Sequence, residues 1–330
     1  MAEAQRKQFS LESDRGKQDL DLRAVKEKIS ETHTEELIIA LCGPIGTDIH
    51  LIAEKLGEII SANYNYTPKL IKLSDLIKKY TSSTDFSAIS NKFEYYNKLI
   101  EAGNRLRNKH SSTILAELSI NEIAINREIL KEENDDDSYK TQRVCYIIDS
   151  IKNQEEYDLL RLIYRDIFYF IGVFSSLDMR EKYLEDKGLK KDQIYKLIDK
   201  DSAEDIDFGQ KVSDTFVLAD LFLRIDHSTS AYIDLKLSRF LNIIFKTEII
   251  TPTYQETAMY LAASSSGNSA CLSRQVGASI TDSLGEILSV GWNDVPQAGG
   301  GVYRTSNLDP LGTSDFRCIN WIGGKCYNDE

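Results

Sequence analysis

The sequence has few of the residues that stabilise secreted proteins or anchor a chain in a membrane. Its 330 residues include five cysteines, an odd number scattered from Cys42 to Cys326, which argues against a secreted disulfide framework. No apolar run approaches the roughly 20 residues that a membrane-spanning helix needs. The polar N-terminus also lacks the apolar core of a signal peptide. We therefore expect a cytoplasmic protein that does not contact a membrane.

An excess of positive charge is also missing. The chain has 40 Lys and Arg against 52 Asp and Glu, which gives a net charge of -12. A whole-chain basic surface for duplex nucleic acid is therefore excluded, although a local basic cleft is compatible with this composition. A small anionic ligand such as a nucleotide needs only a few local donors. The length predicts two globular domains.

Strand and helix patterns alternate through most of the chain. The continuous apolar run Leu37–Cys42 is typical of a buried parallel strand, and apolar residues recur at helical spacing from Ile49 onward. Further strands are predicted at 69–73, 144–148, 166–174 and 221–225, with helices at 93–106, 112–131, 155–165, 179–186 and 228–250. This alternation predicts an α/β fold with a parallel sheet.

The same patterns predict how the chain is divided. Residues 1–35 are highly charged and are interpreted as an N-terminal arm, and residues 36–250 form the α/β domain. The Thr251-Pro252 pair breaks the preceding helix, so the second domain is predicted over 251–330. It contains a helix at 254–264 and strands at 276–281 and 286–290.

An anion site is predicted where the first strand meets the first helix. The turn Gly43-Pro44-Ile45-Gly46-Thr47-Asp48 would point backbone N–H groups and the helix dipole at a ligand. A Walker A loop has the pattern Gly-x-x-x-x-Gly-Lys-Ser/Thr, but here Leu41 takes the first Gly position and Thr47 the Lys position. Asp48 takes the metal-binding hydroxyl position. Two readings stay open: a nucleotide or anion site of altered chemistry that uses Gly43, Gly46, Thr47 and Asp48, or a turn that only caps the helix.

The order of further motifs resembles P-loop nucleoside and nucleotide kinases. One strand ends on Asp149, another strand precedes Met179-Arg180, and Gly209-Gln210-Lys211-Val212-Ser213-Asp214 follows. In that family the matching Asp lies near the metal and an Arg-bearing segment acts as a lid. The resemblance thus implies that Asp149 is a metal-side carboxylate and Arg180 a lid residue; the alternatives are a polar strand end and a solvated helix charge. The missing Lys speaks against phosphoryl transfer, which depends on charge neutralisation.

The second domain resembles the opening of a deoxycytidylate deaminase. The matching segments are Cys271-Leu272-Ser273-Arg274-Gln275-Val276-Gly277-Ala278-Ser279-Ile280 and Ile287-Leu288-Ser289-Val290-Gly291-Trp292-Asn293-Asp294-Val295-Pro296. The resemblance implies an incomplete cytidine deaminase-like α/β domain. It also implies that Asn293 contacts the sugar and that Arg274 lies near the 5′ phosphate of a bound nucleotide. The alternatives are a turn residue and a surface charge.

The residues that carry deaminase chemistry do not follow Asn293. The family holds zinc with His-x-Glu and Pro-Cys-x-x-Cys, but all four His of this chain precede the deaminase-like segment and no Cys-x-x-Cys occurs. We therefore expect zinc as the cofactor of a complete deaminase domain and expect this chain, without that catalytic part, to be inactive by itself. Cys318 and Cys326 are either two ligands of a zinc site or ordinary reduced thiols.

Together, the two halves resemble the bacterial antiphage dCTP deaminases. This resemblance implies zinc-dependent hydrolysis of dCTP and dCMP to dUTP and dUMP, with the first domain as a nucleotide-sensing or regulatory domain. The expected partners are deoxycytidine nucleotides and a second copy of the chain in a homo-oligomer, and a regulatory RNA or protein is left open. The alternatives are a nucleotide-binding regulatory or interaction protein, and a nucleotide kinase with an altered P-loop.

Overall fold

The computed structural model describes residues 35–81, 85–133, 143–202, 212–226, 229–269, 271 and 274–294. The chain divides into two compact units, with the division between Glu248 and Ile249. Cys318, Cys326 and the Gly209-Gln210-Lys211 part of the kinase-like motif lie outside the described residues.

The first unit is built on a five-stranded parallel sheet in the order β2-β3-β1-β4-β5. Its central strand is the continuous apolar run, because a strand that is covered on both faces needs apolar residues at every position. The expected α/β fold with a parallel sheet is confirmed for this unit. The strands are β1 (Glu36–Cys42), β2 (Thr67–Lys72), β3 (Val144–Asp149), β4 (Phe168–Phe174) and β5 (Leu221–Arg224).

Helices cover both faces of this sheet. Side chains alternate along a strand, so Ile38 and Ala40 enter one apolar core while Leu37 and Ile39 enter the other. Among the described residues, no helix is both long and apolar enough to cross a membrane. The helices are α1 (Ile49–Tyr64), α2 (Leu73–Tyr80), α3 (Lys92–Lys109), α4 (Ile114–Glu133), α5 (Gln154–Tyr164), α6 (Leu177–Asp186), α7 (Lys191–Ser202), α8 (Val212–Phe216) and α9 (Ser230–Phe245). Short 3-10 turns lie at Phe86–Ala88 and Arg165–Ile167.

Three helices of the first unit were not predicted from the sequence: α2, α7 and α8. Leu73 was predicted to end a strand, but it begins α2 and is buried with Leu76 and Ile77, the spacing of one helical face. The boundary carried no signal, because β2 passes directly into α2 without Gly or Pro and Lys72 makes no side-chain cap. In α7 the apolar residues Ile194, Leu197 and Ile198 have helical spacing that was a usable signal, whereas α8 has only five residues, too few to show a period.

The second unit consists, over its described residues, of one helix and an antiparallel hairpin. These are α10 (Tyr254–Ser266), β6 (Gly277–Thr281) and β7 (Ile287–Trp292). A capping box between Thr253 and Glu256 begins α10. A Cβ on Gly277 would lie 1.8 Å from the carbonyl oxygen of Ala262, so only Gly allows the helix to pack this closely.

Candidate functional site

The turn between β1 and α1 has the shape of an anion loop, but the amides of Ile45 and Thr47 already donate to acceptors of the chain. Gly46 adopts a φ of 86°, a backbone conformation that residues with a side chain rarely adopt. The Thr47 amide donates to the carbonyl of Pro44 at 3.1 Å. Asp48 is the N-cap of α1, and its carboxylate accepts from the amide of Leu51 at 3.4 Å. A carboxylate of the chain therefore stands where a ligand anion would meet the helix N-terminus.

A cavity of about 210 Å³ opens beside this turn, at the carboxyl end of β1 and β3. That edge of a parallel sheet is where α/β proteins bind ligands. Four predicted site residues line it: Gly43, Gly46, Thr47 and Asp149. The cavity wall also includes His50, Ser74, Tyr96, Leu99, Ile100, Arg107, Ser150, Lys152 and Tyr183.

The other two predicted residues of this site act on the turn without lining the cavity. Asp48 caps α1, and Arg180 on α6 donates from Nε to the carbonyl oxygen of Ile45 at 2.7 Å. Burial lowers the pKa of Arg180, and the nearby carboxylate of Asp201 opposes that shift. The Nη2 atom of Arg180 is buried and has no hydrogen-bond partner among the described residues. Arg180 thus contacts the turn through Nε, while its Nη2 has no acceptor among the described residues.

Asp149 lies at the end of β3 and forms an ion pair with Nδ1 of His50 on α1. The hydrogen bond from His50 to Asp149 raises the pKa of the imidazole above its ordinary value, which burial opposes. Asp149 is 6% exposed, whereas His50 is 53% exposed. A protonated His50 competes with any cation for this carboxylate, so Asp149 is held by the chain itself.

A buried ion pair forms the back of the cavity. Nε of Arg107 donates to Oε1 of Glu156 at 2.8 Å, and the two side chains are 2% and 0% exposed. Burial raises the pKa of Glu156, and Arg107 opposes that rise. Arg107 is the member of the pair that lines the cavity. The pair therefore places a fixed guanidinium at the cavity wall.

A second buried carboxylate reaches the turn from α7. Oδ2 of Asp201 accepts from the amide of Ile45 at 2.6 Å, and its Oδ1 forms an ion pair with Nζ of Lys152. Asp201 is 0% exposed. An amide of the glycine turn and a lysine, both suited to a phosphate, thus bind a side chain of the same chain.

In the second unit the two predicted nucleotide-contacting residues lie together. Nδ2 of Asn293 donates to the carbonyl oxygen of Arg274 at 2.8 Å, and Oδ1 accepts from the amide of Val276 at 2.7 Å. The Asn293 amide therefore clamps the two ends of the hairpin. The Arg274 side chain is exposed. Whether either contacts a nucleotide remains a prediction.

The described residues do not fit the zinc site of a deaminase. Over the described parts of the chain, no group of three or more His, Cys, Asp and Glu side chains is arranged to hold a metal ion. In the second unit the described cysteine is Cys271, which is buried, and the sequence has no His after His227. No catalytic step through zinc is derived from these residues.

Comparisons with known proteins identify no family. No family model matches the chain, and no curated protein matches it. Among solved structures, an uncharacterized protein from Eubacterium ventriosum ATCC 27560 is 16% identical with a TM-score of 0.30, covering 64% of this chain and 98% of that one. A gluconokinase from Sinorhizobium meliloti 1021 is 12% identical with a TM-score of 0.29, covering 64% and 98%. A Deinococcus radiodurans tunicamycin resistance protein is 11% identical with a TM-score of 0.28, covering 62% and 95%. Values this low assign no function.

Four residues of the first site were not predicted from the sequence: His50, Arg107, Lys152 and Asp201. His50 and Lys152 each lie within four residues of a predicted site residue, so proximity to the turn and to Asp149 was a usable signal. Arg107 lies one residue past the helix predicted at 93–106 and is buried on the observed helix with Ile100 and Gly103, which is unusual for a charged residue. Asp201 lies 156 residues from Ile45, and nothing local marks it.

Proposed function

We propose that the first unit binds a nucleoside or nucleotide in the cavity beside the β1–α1 turn and does not transfer a phosphoryl group. The observation that carries the proposal is the cavity itself. It lies at the carboxyl end of the central strands, and a few polar groups converge there among apolar walls, the composition of small-ligand sites. On this proposal the unit is a nucleotide-sensing domain.

The cavity walls suit a nucleoside better than a triphosphate. Tyr96 and Tyr183 offer rings that can stack on a base, and Ser74, Ser150 and Asp149 offer hydroxyl and carboxylate groups that can bind base or sugar edges. Its volume of about 210 Å³ is below the ~300–1,000 Å³ of typical pockets for drug-sized ligands. The enclosed part is therefore too small for a whole nucleoside triphosphate.

The turn argues against kinase chemistry. Thr47 stands in the position of the Walker A lysine, and its side chain is 8% exposed. The amides of Ile45, Thr47 and Leu51 all donate to acceptors of the chain. Phosphoryl transfer needs charges that neutralise the transferring group, and this turn supplies carboxylates instead.

The test is to fill the cavity and measure binding. Ser74→Phe places a ring at the cavity wall, whereas Ser61→Phe makes the same change at an exposed position of α1. We expect titration calorimetry to show deoxycytidine or dCMP binding to the parent and to Ser61→Phe, with at least about tenfold weaker binding to Ser74→Phe, a loss of ~1.4 kcal/mol. Equal affinity in all three proteins, or no binding to the parent, would reject the proposal.

We further propose that the second unit is the front part of a deoxycytidine-nucleotide deaminase that acts in defence against phage. The specific observation in its favour is that Arg274 and Asn293, the residues matched to the phosphate and sugar contacts of that family, lie at the same end of the hairpin. The Arg274 side chain is exposed, so it can be removed without disturbing the backbone contacts that Asn293 makes.

This proposal is tested with Arg274→Gln in the Ser74→Phe background, where the cavity of the first unit is blocked. Removing the guanidinium should weaken the dCMP binding that remains in this background, because the phosphate loses a charged donor. An unchanged affinity for dCMP would make Arg274 a surface charge and leave the deaminase reading without support.

A further inference from the structure

The carboxylate of Asp201 is an anion of the chain itself, and it is bound at the glycine turn, where an anionic ligand would bind. The carboxylate accepts from the Ile45 amide at 2.6 Å and pairs with Lys152. Arg180 lies close enough for the charge of Asp201 to affect its pKa, and it holds the same turn through the Ile45 carbonyl. One backbone amide and the ammonium group of Lys152 thus bind a single carboxylate that is removed from solvent, and Arg180 holds the same turn.

Two further donors at this place have no acceptor among the described residues. The hydroxyl of Thr47, which lines the cavity, is buried without a partner, and so is Nη2 of Arg180. A carboxylate has two oxygens, and both oxygens of Asp201 are already bonded. A phosphate group offers more acceptor oxygens than a carboxylate and would accept from these donors as well.

We propose that Asp201 occupies the place of a ligand phosphate at the β1–α1 turn, and that a phosphate-bearing ligand binds by displacing Asp201 and releasing α7. This rests on the proposed function, since it concerns the same site and adds a phosphate-binding part to it. Lys152, the Ile45 amide and the Thr47 hydroxyl then bind the phosphate. Binding is thereby coupled to the movement of α7, which gives a sensing domain a response to its ligand.

The displacement predicts that Asp201 competes with phosphate. If Asp201 fills the site for at least nine-tenths of the time, the apparent affinity of a phosphate ligand is reduced about tenfold or more. Asp201→Asn removes the charge that holds Lys152 while keeping the side-chain shape. Asp199→Asn makes the same change in charge at an exposed position of the same helix and is the matched control.

The experiment titrates the full chain with inorganic pyrophosphate, dCMP and deoxycytidine. We expect Asp201→Asn to bind pyrophosphate and dCMP at least about tenfold more tightly than the parent, Asp199→Asn to match the parent, and deoxycytidine affinity to be the same in all three. Unchanged affinity of folded Asp201→Asn for pyrophosphate and dCMP overturns the inference. If deoxycytidine binds normally in that case, the proposed function survives, whereas absence of deoxycytidine and dCMP binding from every protein rejects the proposed function itself.

A measurement on the unaltered protein covers the case in which Asp201→Asn does not fold. Hydrogen exchange over Lys191–Ser202 should rise when saturating pyrophosphate is added, because α7 loses its contact with the turn, and should not rise with deoxycytidine. Exchange that stays constant or falls with bound pyrophosphate contradicts the displacement.

Discussion

Arg107→Met is the perturbation whose size follows most directly from the structure. It leaves Glu156, which is 0% exposed, without the guanidinium that approaches it at 2.8 Å. Breaking a buried ion pair by removing one partner costs about 3–5 kcal/mol, because the remaining charge stays out of water. At about 2–4 °C per kcal/mol for a unit of this size, the melting temperature of the first unit should fall by roughly 6–20 °C.

The loss of stability in Arg107→Met should depend on pH in a defined direction. Burial raises the pKa of Glu156 in the folded state, and loss of Arg107 removes an interaction that lowers it. A raised folded pKa gives stability that is complete below the unfolded pKa of about 4.3 and is lost as the pH rises through the folded value. The stability of Arg107→Met should therefore be closest to that of the parent near pH 4, and the difference should grow toward neutral pH.

The assay is thermal unfolding by circular dichroism from pH 4 to pH 8. Arg105→Met removes the same charge from an exposed position of α3 and should change stability by less than about 0.5 kcal/mol. Adding Glu156→Gln to Arg107→Met should abolish the pH dependence of the loss. A loss below about 1 kcal/mol, or a loss that does not vary with pH, would refute the view that the pair is a desolvated structural unit of the cavity.

Three further predictions concern the turn and the hairpin. The parent should show no ATPase activity in a phosphate-release assay, and Thr47→Lys with Asp48→Ser should bind ATP more tightly than the parent; an active parent would restore the kinase reading. Gly277→Ala should cost at least about 1–3 kcal/mol and speed hydrogen exchange in the hairpin, because its Cβ would meet a helix carbonyl at 1.8 Å. Gly291→Ala is the control, since its Cβ would have nothing within 4 Å, and it should not speed this exchange. Equal exchange in both variants would contradict this packing. Asn293→Ala should cost about 0.5–1.5 kcal/mol, because it removes two solvent-exposed hydrogen bonds to the backbone, and hairpin exchange at the parent's rate would show that the side chain is not a clamp.

Strand periodicity predicted the architecture of the first unit because burial on both faces leaves a clear signature. The run from Leu37 to Cys42 has no polar residue, and it became the central strand with neighbours on both sides. The chain order of strand, glycine turn and helix also placed Gly43, Gly46 and Thr47 at the cavity. These features are local in sequence, so composition and spacing were enough to find them.

The missed parts of the site depend on contacts between distant segments. Asp201 reaches Ile45 across 156 residues, and Arg107 meets Glu156 across 49 residues, so neither pairing leaves a pattern within one element. The turn itself shows the same limit. Its sequence revealed the missing lysine, but only the folded chain shows that a carboxylate from α7 takes up the amide that a phosphate would use.

The central claim is that the cavity binds a nucleoside or nucleotide without phosphoryl transfer. One measurement tests both parts of this claim. The full chain is incubated with deoxycytidine and with ATP labelled at the γ-phosphate. Bound deoxycytidine is then determined by equilibrium dialysis and labelled dCMP by chromatography. The account predicts saturable binding of one deoxycytidine per cavity, lost in Ser74→Phe, with no labelled dCMP above the protein-free blank. Labelled dCMP that disappears in Ser74→Phe, or no deoxycytidine binding at all, would contradict it.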